Sequence, residues 1–191
     1  MTENYPSFEQ IRDVHKELTD MKTEYWFHHD LFSFQWWLLL LILFVPWLIW
    51  WRFVDKNRIS QILLFGTLLM VLVMMLDDLG VESHLWSYPY QLVNILPRLI
   101  AVDHGIIIIF HMFLYQYFTK WKKFIIANTV MAITFTFIFE PITVWLGIYK
   151  LENWRYIYSL PIYILKAVFI KWFVDEVILK KELEYKQKNS V

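Results

Sequence analysis

Eight ionisable side chains interrupt or end the long apolar runs of this chain, and their types could support chemistry: Asp77, Asp78, Asp103, His104, His111, Glu140, Lys166 and Lys171. Within a membrane such groups are costly, and they usually face the interior of a helix bundle or a water-filled cavity. A rise of about 1.5 Å per helical residue places Asp103 at the outer end of its span, Glu140 roughly 10 Å below that end and Lys166 about 15 Å into the fifth span. We therefore predict an outward-opening polar pocket with these binding residues: Asp78, Asp103, His104, His111, Glu140 and Lys166.

Three interpretations of this set stay open. Glu140 and Lys166 could form a buried ion pair that fixes helix packing, so that removal of one partner leaves an uncompensated charge. Alternatively, the carboxylates, histidines and lysine bind or relay a proton, an ion or a small polar solute. In the third interpretation His104, His111, Glu140 and an aspartate bind a divalent metal or perform acid-base chemistry on a lipid. Their spacing matches no metal-binding motif, so the metal and any cofactor stay unknown.

The other charged and aromatic residues have simpler interpretations. Asp77 and Asp78 are expected in the outer headgroup region, where charge costs little, and Lys171 is expected to extend its ammonium to anionic lipid headgroups. Two aromatic clusters are typical of a membrane-interface belt, or alternatively of the mouth of a binding site: Trp86, Tyr88 and Tyr90, and Tyr149, Trp154, Tyr156 and Tyr158.

The composition indicates that these residues lie on membrane-spanning helices. Hydrophobic residues make up 58% of the 191 residues, whereas an ordinary soluble domain is about 45–50% apolar. A spanning helix needs roughly 20 mainly apolar residues. We therefore predict an all-α fold, a polytopic membrane helix bundle with about five transmembrane helices, at approximately 36–54, 59–76, 100–118, 124–146 and 156–178.

An N-terminal amphipathic helix is predicted to precede these spans. Its apolar residues recur at steps of three and four, which is one face of a helix: Phe8, Ile11, Val14, Leu18, Met21 and Tyr25. Ser7 followed by Gln10 fits a capping box. This helix could lie in the membrane interface, pack on the protein's own surface, or pair with a partner helix through residues 7–25. The predicted organisation is an amphipathic segment at 1–34, a transmembrane bundle at 35–179 and a charged cytoplasmic tail at 180–191.

The distribution of Lys and Arg predicts the orientation, because short cytoplasmic loops carry an excess of both. Three segments on one side of a five-span bundle are rich in them: Arg52, Lys56 and Arg58; Lys120, Lys122 and Lys123; and Lys180, Lys181, Lys186 and Lys188. We therefore expect a multi-pass protein of the cell membrane, with the N-terminus outside and the C-terminus in the cytoplasm. A four-span arrangement with a half-inserted segment is the main rival.

Several function classes lack support in the sequence. The formal net charge is zero, so the electrostatic footprint of nucleic-acid binding is missing. There is no cysteine, which removes disulfides, thiolate metal sites and thiol nucleophiles. No phosphate-binding glycine loop, HExxH or GxSxG motif is present. The bilayer is the one partner that the sequence clearly indicates.

Five segments together resemble an uncharacterised family of small multi-pass membrane proteins from endospore-forming bacteria: WWRFVDKNR (50–58), LWSYPY (85–90), YQYFTKWKKF (115–124), EPITVWLGIYK (140–150) and YIYSLPIY (156–163). The resemblance covers about residues 25–175. It implies a bacterial membrane setting and no catalytic role, and it assigns no functional residue.

The leading functional hypothesis is a non-enzymatic membrane protein that binds or conducts a small solute, ion or lipid through the outward-facing polar pocket. The alternatives are a membrane-embedded enzyme acting on a lipid or isoprenoid, and a structural subunit of a membrane complex whose N-terminal helix docks a partner.

Overall fold

The computed structural model of the protein describes residues 5–96 and 98–188. The regular secondary structure of this part of the chain is helical apart from one antiparallel pair of two-residue strands, β1 (Trp86–Ser87) and β2 (Lys150–Leu151). Three of its helices are long and apolar enough to cross a membrane, at Phe34–Phe53, Lys56–Glu82 and Trp121–Trp145. The structure therefore has the all-α fold predicted, with three candidate membrane spans.

Most helices follow one another with short connections, whereas longer loops follow Glu82 and Trp145. The bounds of the helices are α1 (Phe8–Tyr25), α2 (Phe34–Phe53), α3 (Ile59–Glu82), α4 (Ile107–Tyr117), α5 (Trp121–Thr134), α6 (Glu140–Trp145), α7 (Tyr156–Trp172) and α8 (Lys180–Lys188). Four π-helical segments extend or join them, at Trp26–Asp30, Val102–Ile106, Phe135–Phe139 and Phe173–Leu179. A short 3₁₀ turn, Lys56–Arg58, leads into α3.

Side-chain caps fix where the first helices begin. Ser7 and Gln10 form the capping box at α1, in which each side chain bonds the backbone N–H of the other residue. The hydroxyl of Ser33 accepts from the N–H of Trp36 at the start of α2, and Asp55 accepts from the N–H of Asn57 before α3. These bonds satisfy backbone donors that have no partner within a helix.

Five helical segments run in alternating directions between two ends of the bundle. At the loop-rich end, which holds residues 83–96 and 146–155, Trp36 donates to the carbonyl of Leu92 and Gln35 donates to that of Leu146. At the opposite end, the Gln116 amide donates to the carbonyl of Phe53 at 3.0 Å. The five segments that alternate in direction are α2, α3, the π segment with α4, α5 with α6, and α7.

The helix α4 lies at the centre of this arrangement. It contacts α2, α3 and α5, and seven of its eleven residues are buried. Phe65 of α3 stacks on Tyr115 of α4 with ring centroids 4.3 Å apart. The main core includes Ile108 and Met112 of α4, Leu69 of α3 and Ala167 of α7. A central helix can therefore carry polar residues, because its neighbours shield them from lipid.

The predicted end of the second span is wrong. We expected it to stop at residue 76, before Asp77 and Asp78, but α3 continues without interruption to Glu82. Asp77 is bonded to three donors, and Asp78 is paired with Arg98 at 2.9 Å. Because both carboxylates are compensated by the following loop, the helix does not need to end in order to expose them to water.

Candidate functional site

A cavity of about 350 Å³ lies beneath the loop-rich end of the bundle. Its walls come from α3, the π segment before α4, α6 and α7, with the loops at residues 83–88 and 149–154 above them. The lining includes Leu79 and Ser83, which are both exposed, so the cavity reaches the protein surface. Its volume is within the usual range for small-molecule pockets.

The cavity contains four charged side chains on mostly apolar walls. Asp77, Asp103, Glu140 and Lys166 all line it, and they are only 7, 5, 8 and 7% exposed, respectively. Of the six predicted binding residues, the structure thus brings together Asp103, Glu140 and Lys166. Buried charges of this kind are stable only when they are paired or hydrogen-bonded, so the partners of each one decide what it can do.

Asp77 anchors the loop that follows α3. Its Oδ1 accepts from the Trp86 indole at 2.9 Å and from the Tyr88 hydroxyl at 2.5 Å, and its Oδ2 accepts from the backbone N–H of Leu99 at 3.2 Å. Both carboxylate oxygens are therefore occupied. Asp77 is not among the predicted binding residues, and the expectation that it lies in the headgroup region is wrong, because its partners from the following loop bury it.

Asp103, unlike Asp77, has a carboxylate oxygen that accepts no hydrogen bond from the described residues. It lies in the π segment Val102–Ile106, and its Oδ2 is buried without a hydrogen-bond partner among the described residues. The electrostatic neighbours of Asp103 are Asp77, Lys166 and Arg98. An unpaired buried carboxylate oxygen in a cavity wall is positioned to accept a bond from a ligand.

Glu140 begins α6, directly after the π segment Phe135–Phe139. Its Oε2 accepts from the Ser159 hydroxyl at 3.1 Å, and the Ser159 oxygen in turn accepts from the Trp154 indole at 3.0 Å. This chain of two bonds links α6 to α7 and to the loop above the cavity. Sequence reasoning missed Ser159, although it lies seven residues before Lys166 and therefore on the same face of α7.

Lys166 forms no ion pair within 4.0 Å among the described residues. Its ammonium lies 4.3 Å from the ring centroid of Tyr163, one turn earlier on α7. The charges of Asp103, Asp77 and Glu140 all act on it. A direct Glu140–Lys166 ion pair, the first interpretation of the sequence, is therefore not formed, and Lys166 is shared by three carboxylates.

The remaining predicted residues lie outside the cavity lining. Asp78 pairs with Arg98 on the neighbouring face of α3. The backbone carbonyl of His104 accepts from the Trp47 indole of α2 at 2.8 Å, and the Nδ1 of its ring lies 3.2 Å from the carbonyl of Ile100. His111 is buried in α4 with its Nδ1 at 2.7 Å from the carbonyl of Ile107, and its Nε2 has no hydrogen-bond partner among the described residues. His104 and His111 thus do not join the three predicted residues that line the cavity.

Four aromatic side chains from the two loops form the upper wall. The Trp86 and Trp154 rings meet edge to face with centroids 5.1 Å apart, and Tyr88 stacks on Tyr149 at 5.6 Å. Pairing of β1 with β2 brings the two loops together. Burial, assisted by the nearby Asp77 carboxylate, raises the pKa of Tyr88, and burial likewise raises the pKa of Tyr149. Both phenols therefore stay protonated at neutral pH.

The structure does not form the metal site that the sequence left open. Within residues 5–96 and 98–188, no three His, Asp or Glu side chains lie close enough together to hold a metal ion. The two histidines of that interpretation are not among the residues that line the cavity with Glu140. What the cavity offers instead is a set of carboxylates, one ammonium and several aromatic faces.

Comparison of the chain with protein-family models, with curated proteins and with solved structures gave no match.

Proposed function

We propose that this chain is a multi-pass membrane protein that binds or conducts a small amphiphilic solute or lipid through the cavity beneath its loop-rich end, without catalysing a reaction on it. The supporting observation is the combination of Asp103, Glu140 and Lys166 on apolar walls. Ligand pockets are usually apolar, with a few polar groups that orient the bound molecule. Here Leu79 and Ser83 connect those groups to the surface of the bundle.

The membrane arrangement that accompanies this function has five spans, with the N-terminus outside and the C-terminus in the cytoplasm. Three helices meet the length and apolarity of spans. The other two segments, 102–117 and 156–179, run between the same two ends of the bundle and carry Asp103, Lys166 and Lys171, which their neighbours bury. In this orientation the cavity opens outward. The resemblance described above favours a bacterial cell membrane and membership in that uncharacterised family.

Native mass spectrometry tests the binding site. The protein is released from detergent micelles after incubation with a polar lipid and metabolite extract from a spore-forming bacterium. We expect a one-to-one adduct on the native chain and on Glu82→Gln, which removes an exposed carboxylate at the end of α3. Glu140→Gln is expected to lose the adduct. Equal adducts on all three proteins would contradict a site at Glu140.

A second role, docking of a partner helix, is favoured by the exposed apolar face of α1. None of the α1 residues is buried, and Phe8, Val14 and Met21 are more than half exposed. Photocrosslinking from Val14, with Asp20 on the opposite face as the control, tests this role. A protein adduct from Val14 alone is expected, whereas crosslinks to lipid alone would overturn the role.

A further inference from the structure

We infer that the preferred ligands of the cavity are lipophilic organic cations, meaning amines or quaternary ions that carry apolar groups. This inference rests on the proposed function and adds the ligand's charge and chemical class to it. It is carried by the balance of charge in the lining, by one carboxylate oxygen without a partner, and by the aromatic faces of the walls.

The charge balance favours a cation. Asp77, Asp103 and Glu140 contribute three carboxylates, and Lys166 contributes the one ammonium among the described lining residues. The lining has a formal charge of −2 with every group ionised, and of −1 when the adjacent Asp77 and Asp103 carboxyl groups share one proton. All four side chains are at least nine-tenths buried, so water compensates them poorly. A bound cation would offset part of this charge, whereas a bound anion would add to it.

Two of the three carboxylates are available to the ligand. Asp77 is occupied by Trp86, Tyr88 and the backbone of Leu99. Asp103 keeps one buried oxygen without a hydrogen-bond partner among the described residues. Glu140 accepts from the Ser159 hydroxyl and has the Tyr163 hydroxyl as a second hydrogen-bonding neighbour. The cationic group of the ligand is therefore expected near Asp103 and Glu140.

The aromatic walls suit the same class of ligand. A cation within about 6 Å of a ring centroid is attracted by the face of the ring. The cavity already contains one such contact, between the Lys166 ammonium and Tyr163 at 4.3 Å. Trp86, Tyr88, Tyr149 and Trp154 present further rings, while Ile106, Ile107 and Ile162 offer aliphatic surface for the apolar part of the ligand.

The lining is less suited to an anionic ligand than to a cation. Its only basic contact among the described lining residues is Lys166, and the charges of Asp77, Asp103 and Glu140 already act on that ammonium. A phosphate or carboxylate headgroup would have to approach Lys166 against these three negative groups. In the absence of another cation, the Lys166 ammonium offsets part of the negative charge of these three carboxylates.

The test compares two probes of nearly the same shape and opposite charge, tetraphenylphosphonium and tetraphenylborate. Binding to the full chain in a neutral detergent is measured by equilibrium dialysis. We expect saturable, one-to-one binding of tetraphenylphosphonium. Asp103→Asn and Glu140→Gln should each weaken it about tenfold or more, because each removes a buried opposite charge. Glu82→Gln is the matched control and should bind like the native chain.

The direction in which Lys166→Met changes the affinity for tetraphenylphosphonium distinguishes a cation site from an anion site. Because Lys166→Met removes the competing ammonium, it should tighten binding of tetraphenylphosphonium. This variant also tests the inference if a carboxylate variant fails to fold. Tetraphenylborate binding that is lost in Lys166→Met would overturn the inference, while the amphiphile-binding function would stand. Unchanged tetraphenylphosphonium binding in Asp103→Asn, Glu140→Gln and Lys166→Met, or no binding of either ion, would also overturn it. The separate adduct measurement with Glu140→Gln then decides whether the proposed function survives.

Discussion

Lys171 is held inside the bundle by one carboxylate and three aromatic rings. Its ammonium lies 2.5 Å from Asp175 Oδ2 and about 5 Å from the ring centroids of Tyr115, Trp121 and Phe124. The side chain is 2% exposed. The expectation that Lys171 extends to lipid headgroups is therefore wrong. A neighbouring aspartate one turn later on the same helix offered a nearer partner than the membrane surface.

We predict that Asp175→Asn destabilises the protein by about 3 kcal/mol, because it leaves the Lys171 ammonium buried without its counter-charge. Adding Lys171→Met should recover most of that loss. The adjacent Glu176→Gln is the matched control: its carboxylate is 4.0 Å from Lys180, and both side chains are well exposed, so it should change stability by less than about 0.5 kcal/mol. SDS-induced unfolding in mixed micelles measures all four proteins. Equal effects of Asp175→Asn and Glu176→Gln would contradict a structural pair.

The site shows which residue properties can be derived from a sequence. Depth along predicted helices was enough to place Asp103, Glu140 and Lys166 in one cavity, because rise per residue is nearly constant. Depth did not identify Asp77, whose neighbours Trp86 and Tyr88 belong to a loop. Rotation about a helix axis and loop conformation depend on tertiary packing, and for this reason depth alone does not show that His104 and His111 lie outside the cavity lining.

Two of the π-helical segments contain or directly precede charged residues of the cavity. Asp103 lies within one of them, and Glu140 directly follows another. A π-helical turn widens the helix and shifts the side chains that follow it, and such turns are frequent at functional sites. Nothing in the apolar pattern of residues 100–118 or 124–146 signalled them. The sequence therefore predicted the helices but not the irregular turns that aim the site residues.

We predict that Gly105→Ala destabilises the protein by about 2 kcal/mol, within the usual range for an overpacked core. Gly105 lies in the π segment before α4, and a β-carbon there would collide with the backbone of Ile42 and Leu43 in α2. Backbone atoms of a packed helix cannot move aside at low cost. The chain also offers a control, Gly66→Ala, where the colliding atoms belong to the flexible side chain of Met112.

Thermal unfolding in detergent compares the two glycine variants. The Gly66→Ala protein is expected to unfold close to the native chain, since alanine is also the better helix former by roughly 1 kcal/mol. The Gly105→Ala protein should unfold at a clearly lower temperature. If the two midpoints coincide, the close approach of α2 to the π segment is not what glycine provides at position 105.

The two ends of the helix bundle differ in their chemistry. The loop-rich end holds the cavity and the paired strands, whereas the opposite end holds the basic connections at residues 52–58 and 120–123. Length and apolarity give three candidate spans, whereas the segments 102–117 and 156–179 carry buried charged residues.

We predict that the chain crosses the membrane five times, and its lack of cysteine allows a clean test. Single cysteines replace Lys16, Ser87, Lys122, Glu152 and Glu184, and intact cells are treated with a membrane-impermeant maleimide. Labelling is expected at positions 16, 87 and 152, and at 122 and 184 only after the cells are opened. The charges favour this result, because basic connections are retained in the cytoplasm. Labelling of both 87 and 122 in intact cells would mean that 102–117 does not cross. Labelling of both 152 and 184 would mean the same for 156–179, and either result would replace the five-span arrangement.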